Sequence, residues 1–334
     1  MKAIALISGG LDSLVAARLV WEQGIEIIPL YFKIPFCQRN KNDTFTAEDI
    51  LARRVADLGW ELKSADISSA FLDLIVNPRH GFGANMNPCI DCKILMLSKA
   101  KEMMSQFGAM FVITGEVLGQ RPMSQHRQAL ELIEEKSGLE GLLLRPLSAK
   151  LLTETTPEKE GWVSRDKLLD YSGRTRRPQI QLAAALNIKD YPNAAGGCLL
   201  TDPEFSKRLK DLVLYRTLDM HNLELLKFGR HFRLSAGAKL VVGRDEREDN
   251  IIFSMAGEND YLFIPADDLA GPTSLGIGTF DAGLLELSCS ITCRYCDLNG
   301  KESATILYKK IPVPQNQSFT ATALDHNRII ALRI

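Results

Sequence analysis

The sequence predicts an α/β fold: a doubly wound parallel sheet followed by a smaller β-rich domain. Over the first third of the chain, apolar runs of strand length alternate with segments of helical periodicity. A glycine-rich turn directly follows the first apolar run. After about residue 229 the pattern changes to short β-type runs separated by glycine turns.

The composition is that of a globular protein. The chain has 334 residues, 46% hydrophobic and 24% charged, with 40 Lys+Arg against 41 Asp+Glu. These values exclude a disordered chain, a collagen-like chain and a long basic nucleic-acid tail. We expect three segments: a domain over 1–150, a helical extension over 151–228 and a β-rich domain over 229–334. Because the net charge is -1, any RNA-binding face must be a local patch.

The chain carries no sign of a membrane segment. No apolar run approaches the ~18–20 residues of a membrane span, and the apolar stretch Met1–Ile7 is too short for a signal peptide. We therefore expect a cytoplasmic protein without membrane contact. Seven cysteines, an odd number, argue against a disulfide framework.

The elements of the first domain follow in order. Residues 2–7 form a continuous apolar run, as expected of a buried parallel strand. Apolar residues then recur at helical spacing from Leu11 until Gly24, a plausible helix stop. Further strands are predicted over 25–32, 60–67 and 109–114, and further helices over 46–58 and 94–107. Ligands of such sheets bind outside the carboxyl ends of the strands, where Ser8, Phe32 and Thr114 fall.

The rest of the chain is less regular up to the β-rich part. Asp202-Pro203-Glu204 is a good helix start, and a helix is predicted from there towards Leu226. Strands are predicted over 239–242, 261–264 and 304–308.

The turn Ser8-Gly9-Gly10-Leu11-Asp12-Ser13 has the features of an anion-binding loop. Its glycines let the backbone approach an anion, and the helix that follows supplies free N–H groups. The Ser8 and Ser13 hydroxyls add donors, and Asp12 can hold Mg²⁺ beside phosphates or orient the nucleotide. A plain strand-to-helix turn is the alternative. The pattern is neither a Walker A motif nor the dinucleotide-binding G-x-G-x-x-G.

This loop resembles the SGGxDS pyrophosphate loop of the PP-loop, or N-type, ATP pyrophosphatases. The resemblance implies an adenine-nucleotide alpha hydrolase-like, Rossmann-like fold. It also implies that the loop binds the β,γ-phosphates of ATP with Mg²⁺, and that cleavage between the α- and β-phosphates leaves an adenylated substrate. By resemblance, Asp12 is catalytic and ATP contacts come from Ser8, Gly9, Gly10, Asp12, Ser13, Phe32, Gly115 and Gln120.

Two further segments are similar to the tRNA thiolation enzymes of that superfamily. Asn87-Pro88-Cys89-Ile90-Asp91-Cys92-Lys93 is similar to 4-thiouridine synthetases and 2-thiouridylases. The segment from Gly115 to Gln125 is similar to 4-thiouridine synthetases, with a spacing one residue longer. A third landmark is Gly196-Gly197-Cys198. The resemblance implies a tRNA-uridine sulfurtransferase, which needs tRNA and a sulfur donor, either sulfide or a persulfide-carrying protein.

Cys89, Cys92 and Cys198 supply three thiols, and three thiolates can hold a 4Fe–4S cluster with one open iron. The resemblance implies that this iron carries sulfide to the activated uridine. The alternatives are a persulfide relay between two of the thiols, a zinc site and inert thiols. Cys37 is expected to be a simple loop thiol.

Several basic residues are candidate contacts to tRNA phosphates. Lys93 follows Cys92 directly, and Arg174, Arg176 and Arg177 form the densest basic cluster of the chain. Solvated surface positions are the alternative for each.

In the last third of the chain, the stretch from Val242 to Asn250, the segment 260–263 and Gly271-Pro272 resemble the RNA-binding domain of the NFACT proteins, which act on stalled ribosomes. The Trp and His of that family's pattern are missing, and a domain that only supports the first is the alternative. Cys289, Cys293 and Cys296 copy the spacing of the radical-SAM cluster loop, which normally begins a longer barrel. A structural metal site and free thiols are the alternatives.

The sequence thus predicts an ATP-dependent tRNA sulfurtransferase. One rival is a PP-loop ligase or amidase that adenylates a small molecule, which has no use for three cysteines. The other is a non-enzymatic RNA-binding factor of ribosomes. The modified tRNA position, the identity of the sulfur donor and the oligomeric state cannot be read from the motifs.

Overall fold

The computed structural model describes residues 1–36, 46–191, 198–266 and 269–334. The chain divides into two compact units, Met1–Thr201 and Asp202–Ile334. Cys37 and the pair Gly196-Gly197, which the sequence analysis singled out, lie outside the described residues.

The first unit alternates strands and helices. In chain order its elements are β1 (Lys2–Leu6), α1 (Leu11–Trp21), β2 (Glu26–Lys33), α2 (Ala47–Ala56), β3 (Lys63–Asp66), α3 (Ser68–Val76), α4 (Cys89–Phe107), β4 (Phe111–Ile113), α5 (Arg127–Ser137), β5 (Leu143–Leu144), α6 (Thr156–Lys159) and α7 (Arg177–Ala185).

The five strands form a parallel sheet in the order β3-β2-β1-β4-β5. The predicted doubly wound parallel sheet is therefore confirmed. The strand order reverses between β1 and β4, which are neighbours in the sheet. In such sheets a ligand crevice forms at the carboxyl ends of the two strands where the order reverses.

Helices cover both faces of this sheet. Alternate residues of β1 point to opposite faces, with Ala3 and Ala5 in one buried cluster and Ile4 in another. Leu14 of α1 packs in the first cluster and Leu97 of α4 in the second. Burial on both faces explains why the strand sequences are continuously apolar rather than alternating.

Helix α4 begins earlier than the apolar periodicity predicts. It starts at Cys89, with Pro88 as its N-cap residue, rather than near Ile94. Asp91 is buried in its first turn, where a carboxylate is favoured by the helix dipole. The earlier start places both Cys89 and Cys92 in the first turn of the helix.

The second unit is built on an antiparallel sheet. Its elements are α8 (Pro203–Leu214), α9 (Met220–Leu225), β6 (Arg230–Ser235), β7 (Ala238–Val242), α10 (Glu246–Ser254), β8 (Tyr261–Pro265), β9 (Ser274–Gly278), α11 (Ala282–Arg294), β10 (Ser303–Lys310), β11 (Gln317–Thr322) and α12 (His326–Leu332). The six strands follow the order β11-β10-β8-β9-β7-β6, and every neighbouring pair is antiparallel.

The predicted β-rich domain is confirmed by this sheet. The single helix expected from residue 203 towards Leu226 is instead two helices, because Arg216 adopts a left-handed conformation with φ 55° between them. Across the described ranges of both units, no helix is long and apolar enough to cross a membrane.

Candidate active site

The glycine loop between β1 and α1 has the geometry of an anion site. Gly9 has φ +79°, a conformation that L side chains rarely adopt. Gly10 is the N-cap residue of α1 and has no side chain to cap the helix, so the first N–H groups stay available to a ligand. The Ser13 hydroxyl donates to the Gly10 carbonyl at 2.9 Å and accepts from the Ser8 N–H at 3.3 Å.

Gly115, which follows β4, touches this loop. A Cβ atom on Gly115 would lie 2.4 Å from the carbonyl carbon of Asp12 and 2.4 Å from the nitrogen of Ser13. Only glycine fits here, because backbone meets backbone. The segments after β1 and β4 are therefore in direct contact where the strand order reverses.

Asp12 is held by two side chains from distant parts of the sequence. Gln120 donates through Nε2 to Asp12 Oδ2 at 2.9 Å, and a terminal nitrogen of Arg176 lies 3.5 Å from the same oxygen. Considering only the described residues, Asp12 Oδ1, Gln120 Oε1 and Arg176 Nε are buried without a hydrogen-bond partner. Buried polar atoms are normally paired, so the cluster is suited to a polar ligand or a cation.

Arg176 reaches Asp12 because its loop docks onto the segment after β4. The Gly173 N–H donates to the Leu118 carbonyl at 2.8 Å, and Leu118 forms an isolated bridge with Ser172. Arg174 and Arg177 are exposed. The three arginines grouped in the sequence as RNA contacts thus have different surroundings, and Arg176 lies at the glycine loop.

The buried carboxylate of Glu116 links α4, the helix that carries Cys89 and Cys92, to the segment after β4. Glu116 is 2% exposed, and its Oε2 accepts from Arg145 Nε at 3.1 Å and from the Thr114 hydroxyl at 3.1 Å. Lys93 Nζ lies 3.3 Å from Glu116 Oε1. Burial raises the pKa of Glu116, but Lys93 and Arg145 outweigh burial and hold the pKa below its usual value. The ionised carboxylate therefore pairs with the Lys93 ammonium and joins the first turn of α4 to the segment that follows β4.

Cys89 and Cys92 lie in the first turn of α4, next to Lys93. Burial raises the pKa of the Cys89 thiol, against the opposing charges of Arg121 and Lys93. Cys89 is therefore mostly a neutral thiol at pH 7, and it needs a metal, a base or an approaching cation to become a nucleophile.

The segment before Cys89 is hydrogen-bonded to the segment after Cys198. Asn85 donates through Nδ2 to the Thr201 carbonyl at 2.8 Å, and the Met86 N–H donates to the Leu200 carbonyl at 3.2 Å. The two cysteine-bearing segments, more than a hundred residues apart in sequence, are therefore neighbours in the fold.

The loop that precedes α4 is also fixed to the helix itself. The His80 N–H donates to Asp91 Oδ2 at 3.0 Å, and His80 Nδ1 lies 2.9 Å from Asp91 Oδ1. Asp91 stands between Cys89 and Cys92 in the sequence, so the loop is attached within the Cys-x-x-Cys turn.

The described residues contain no group of three His, Cys, Asp or Glu side chains arranged to hold a metal ion. The segments that carry Cys89, Cys92 and Cys198 are neighbours, but the three described thiols do not form a ligand group. The cluster on these residues stays a prediction.

The cysteines of the second unit are part of its core. Cys289 and Cys293 are buried among apolar side chains of α11 and the sheet. Burial raises the pKa of Cys289 and of Cys296 to about 12. These thiols are protonated at neutral pH, as expected of packed core groups.

Phe32, the aromatic residue at the end of β2, is 6% exposed and packs in the cluster beneath α4. It lines a cavity of about 490 Å³ together with Asp66, Ser69 and Lys99. Phe32 is thus a buried wall residue of this cavity near the end of β2, and its contact with ATP stays a prediction.

Sequence reasoning did not single out Arg145 as a site residue. A usable signal was present, because Arg145 directly follows the short apolar run Leu143-Leu144, which is β5. A charged residue at a strand's carboxyl end lies at the ligand edge of a parallel sheet.

Two family models match the chain. The model described as Thiamine biosynthesis protein (ThiI) matches residues 1–150. The model described as NFACT protein RNA binding domain matches residues 229–332. The resemblances stated from the glycine loop, the cysteine motif and the C-terminal segments are confirmed by these matches.

Curated relatives match over the first part of the chain. A probable tRNA sulfurtransferase of Thermococcus kodakarensis is 28% identical over 155 residues, which are 44% of this chain and 36% of that protein. A probable tRNA sulfurtransferase of Methanosarcina acetivorans is 35% identical over 123 residues, 35% of this chain and 28% of that protein. The chain thus spans only about a third of the length of these relatives.

Among solved structures, a 4-thiouridine synthetase in complex with RNA and with bound ATP aligns with 23% identity and a TM-score of 0.36. The alignment covers 56% of this chain and 51% of that chain. The fold assignment rests on the strand order and connectivity of this chain itself.

Proposed function

We propose that the chain is an ATP-dependent sulfurtransferase that replaces a uridine carbonyl oxygen of tRNA with sulfur. The proposal is supported by the names of the curated relatives and by the family model that matches residues 1–150. Within the molecule, one observation carries it. The Lys93–Glu116 ion pair joins the Cys89-x-x-Cys92 turn to the segment whose Gly115 touches the glycine loop.

ATP is the proposed cosubstrate of the first unit. The free N–H groups at the start of α1 and the Ser8 and Ser13 hydroxyls would bind its phosphates. The buried Oδ1 of Asp12, which has no hydrogen-bond partner among the described residues, fits Mg²⁺, which takes carboxylate oxygens and substrate phosphates together. Arg176 and Gln120 orient that carboxylate.

The proposed reaction has two displacements. The uridine carbonyl oxygen attacks the α-phosphorus of ATP, the α–β phosphoanhydride bond breaks, and pyrophosphate leaves. Sulfide then adds to the carbon that bears the adenylate, and the C–O bond breaks with AMP as leaving group. With sulfide as the donor, neither an oxidant nor a reductant is consumed.

The chain's own groups can stabilise the charge that develops in these steps. Negative charge grows on the departing pyrophosphate, and preorganised N–H donors and cations nearby lower that barrier. Arg176 lies at Asp12, and Lys93 is paired with the buried carboxylate of Glu116, the residue after Gly115. Neither cation has to be reorganised when the charge develops.

The cysteines are the proposed route for sulfur. The resemblance implies a 4Fe–4S cluster on Cys89, Cys92 and Cys198, and three thiolates are a suitable donor set for one. Their segments are adjacent, but the described side chains are not gathered into a ligand group. Of the protein, the two proposed displacements therefore involve only the chain's own groups. The iron content of the purified protein is the measurement that tests for a cluster.

The second unit is the proposed RNA-binding part. The family model that matches residues 229–332 is named for RNA binding. This proposal assigns capture of tRNA to the second unit and the chemistry to the first.

The test is formation of thionucleosides. The protein is purified without oxygen, its iron and acid-labile sulfide are measured, and it is incubated with tRNA, Mg-ATP and sulfide. Mass spectrometry of the digested tRNA should show a thiouridine that depends on ATP. Cys89→Ser and Cys198→Ser should abolish it, whereas Cys296→Ser, in the second unit, should not.

Full thiouridine yield from Cys89→Ser and Cys198→Ser would show that the sulfur route is misassigned. Pyrophosphate release with a small molecule, and no thiouridine with any tRNA, would favour the adenylating ligase instead.

A further inference from the structure

The second unit contains a small cleft that the sulfur chemistry does not use. It has a volume of about 220 Å³ and lies between β6, the end of β7, the start of α10 and the end of α11. Arg230, Arg244, Asp245, Asp249 and Tyr295 line it. This volume is below the ~300–1,000 Å³ of pockets for drug-sized ligands, so the cleft suits one flat group rather than a whole nucleotide.

One wall of the cleft is a stacked pair. The guanidinium carbon of Arg230 lies 4.6 Å from the centroid of the Tyr295 ring. Arg230 is held in that orientation because one of its terminal nitrogens donates to the Gly243 carbonyl at 2.7 Å. Guanidinium planes and aromatic rings are the surfaces on which proteins stack unpaired RNA bases.

The opposite charges in the cleft argue against a phosphate as its ligand. Arg244 is already paired with Glu248, at 2.9 Å. Asp245 and Asp249 both line the cleft, and their carboxylates would repel an anion. A neutral ring with polar edges meets no such repulsion.

The Asp249 carboxylate is positioned to accept hydrogen bonds from the edge of a neutral ring bound in the cleft. Its Oδ1 accepts from the Thr273 N–H at 2.9 Å, which fixes the carboxylate. Burial raises the pKa of Asp249, and the hydrogen bond from the Thr273 N–H opposes this shift. Guanine alone among the four bases offers two adjacent N–H donors on its Watson–Crick edge, the pattern that a carboxylate accepts.

We propose that this cleft binds a single unstacked guanine of single-stranded RNA, with Arg230 on Tyr295 as the stacking platform and Asp249 as the acceptor for the base edge. This deepens the proposed function, since it rests on RNA binding by the second unit. It gives that unit a base-specific site in addition to any contact with the phosphate backbone.

The test uses the full chain and four fluorescent RNA pentamers, 5′-UUGUU, 5′-UUAUU, 5′-UUCUU and 5′-UUUUU. Anisotropy titrations should show UUGUU binding about tenfold more tightly than UUUUU, the scale of one stacked and recognised base. Equal affinity for all four pentamers would overturn the proposal.

Two variants separate stacking from charge. Asp249→Asn keeps the oxygen that accepts from Thr273 and should remove the preference for UUGUU while leaving UUUUU unchanged. Arg230→Lys keeps the charge but loses the planar group, and should weaken UUGUU binding about tenfold. Arg328→Lys, on exposed α12, is the matched control and should change nothing. A guanine preference that survives Asp249→Asn in a folded variant overturns the proposal.

A second measurement does not depend on the variants. A pentamer with 6-thioguanosine at its centre is photo-crosslinked to the unmodified protein, and the crosslinked peptide should contain Arg230 or Tyr295. A crosslink confined to other peptides overturns the assignment. Because pentamers contain no tRNA and the assay needs no ATP, loss of this site and failure of sulfur transfer are seen separately.

Discussion

At the scale of single residues, Asp12 is the centre of the proposed nucleotide site. Two side chains from distant parts of the sequence, Gln120 and Arg176, converge on its carboxylate. Its second oxygen is buried without a partner in the described part of the chain. A cation that bridges this oxygen to phosphates would complete the arrangement.

Asp12→Asn should therefore reduce ATP-dependent pyrophosphate release by about a hundredfold or more, because a metal-held charge is worth several kcal/mol in phosphoryl transfer. The measurement is pyrophosphate release in the presence of tRNA. Asp57→Asn, an exposed carboxylate at the end of α2, is the control. An Asp12→Asn enzyme with normal turnover would contradict the role of Asp12.

The effect of replacing Gly115 depends only on the steric fit of an added methyl group. A methyl group there would meet the Asp12 backbone at 2.4 Å, and neither backbone can yield cheaply. Gly115→Ala should lower the free energy of unfolding by about 1–3 kcal/mol and misplace the loop, with about a hundredfold loss of pyrophosphate release.

The control is Gly237→Ala, where no atom lies within 4 Å of the added methyl group. Thermal unfolding and pyrophosphate release are measured for both variants. A Gly115→Ala enzyme that binds and cleaves ATP normally would show that the two segments do not need this contact.

Glu116 gives a pH dependence. Lys93 and Arg145 hold its folded-state pKa below the ordinary value of a glutamate carboxyl, despite the opposing effect of burial. Its ionised form therefore stabilises the fold at neutral pH, and this contribution is lost as the pH falls through the folded-state pKa. Glu116→Gln should cost about 3–5 kcal/mol at neutral pH, because the buried Arg145 and the partly buried Lys93 lose this counter-charge.

The measurement is the denaturation midpoint from about pH 6 to pH 3. The variant should show a flatter acid dependence than the unmodified protein, and the exposed Glu140→Gln should not. Parallel curves for Glu116→Gln and the unmodified protein would remove the electrostatic explanation.

At the scale of elements, the position of the cysteines depends on the loop between α3 and α4. Asn85 in that loop adopts φ 55° and donates to the Thr201 carbonyl. Asn85→Gly keeps the left-handed backbone but removes the hydrogen bond. We expect thiouridine formation to fall about tenfold, the effect of a small misplacement of reacting groups, while pyrophosphate release is unchanged.

Asn187→Gly is the matched control, since Asn187 also has a left-handed conformation, φ 57°. Thiouridine and pyrophosphate are measured in the same reactions. Equal losses of both products in Asn85→Gly would indicate a general structural defect rather than displaced cysteines.

The same elements show what could be predicted from sequence and what could not. The glycine loop was predictable because a strand, a turn and a helix start are all local. The start of α4 was missed because its first turn is set by Pro88 and the buried Asp91 rather than by apolar periodicity. The break at Arg216 was missed because a single left-handed residue leaves no periodic signal.

Contacts between distant segments were the least predictable. Arg176 was grouped with Arg174 and Arg177 because they are neighbours in sequence. Only the docking of Gly173 against Leu118 turns Arg176 towards Asp12. The pairing of the Asn85 and Thr201 segments likewise depends on the tertiary fold, and the role of Cys198 stays a prediction from its residue type and resemblance.

At the scale of the whole molecule, two units carry different proposed tasks. The first places the glycine loop, the Lys93–Glu116 ion pair and the turn with Cys89 and Cys92 at the carboxyl edge of a parallel sheet. The second is an antiparallel unit whose cysteines are core groups and whose cleft suits a base rather than a phosphate. We therefore propose that the first unit carries out the chemistry and that the second recognises RNA.

In the proposed mechanism, activation by ATP and sulfur transfer occur in one site. The most direct test is a single-turnover reaction of enzyme, tRNA, Mg-ATP and sulfide in which AMP and thiouridine are counted together. We predict one AMP for each thiouridine in the unmodified protein, and AMP without thiouridine in Cys198→Ser. Thiouridine formed without AMP, or unchanged thiouridine yield in Cys198→Ser, would contradict the account.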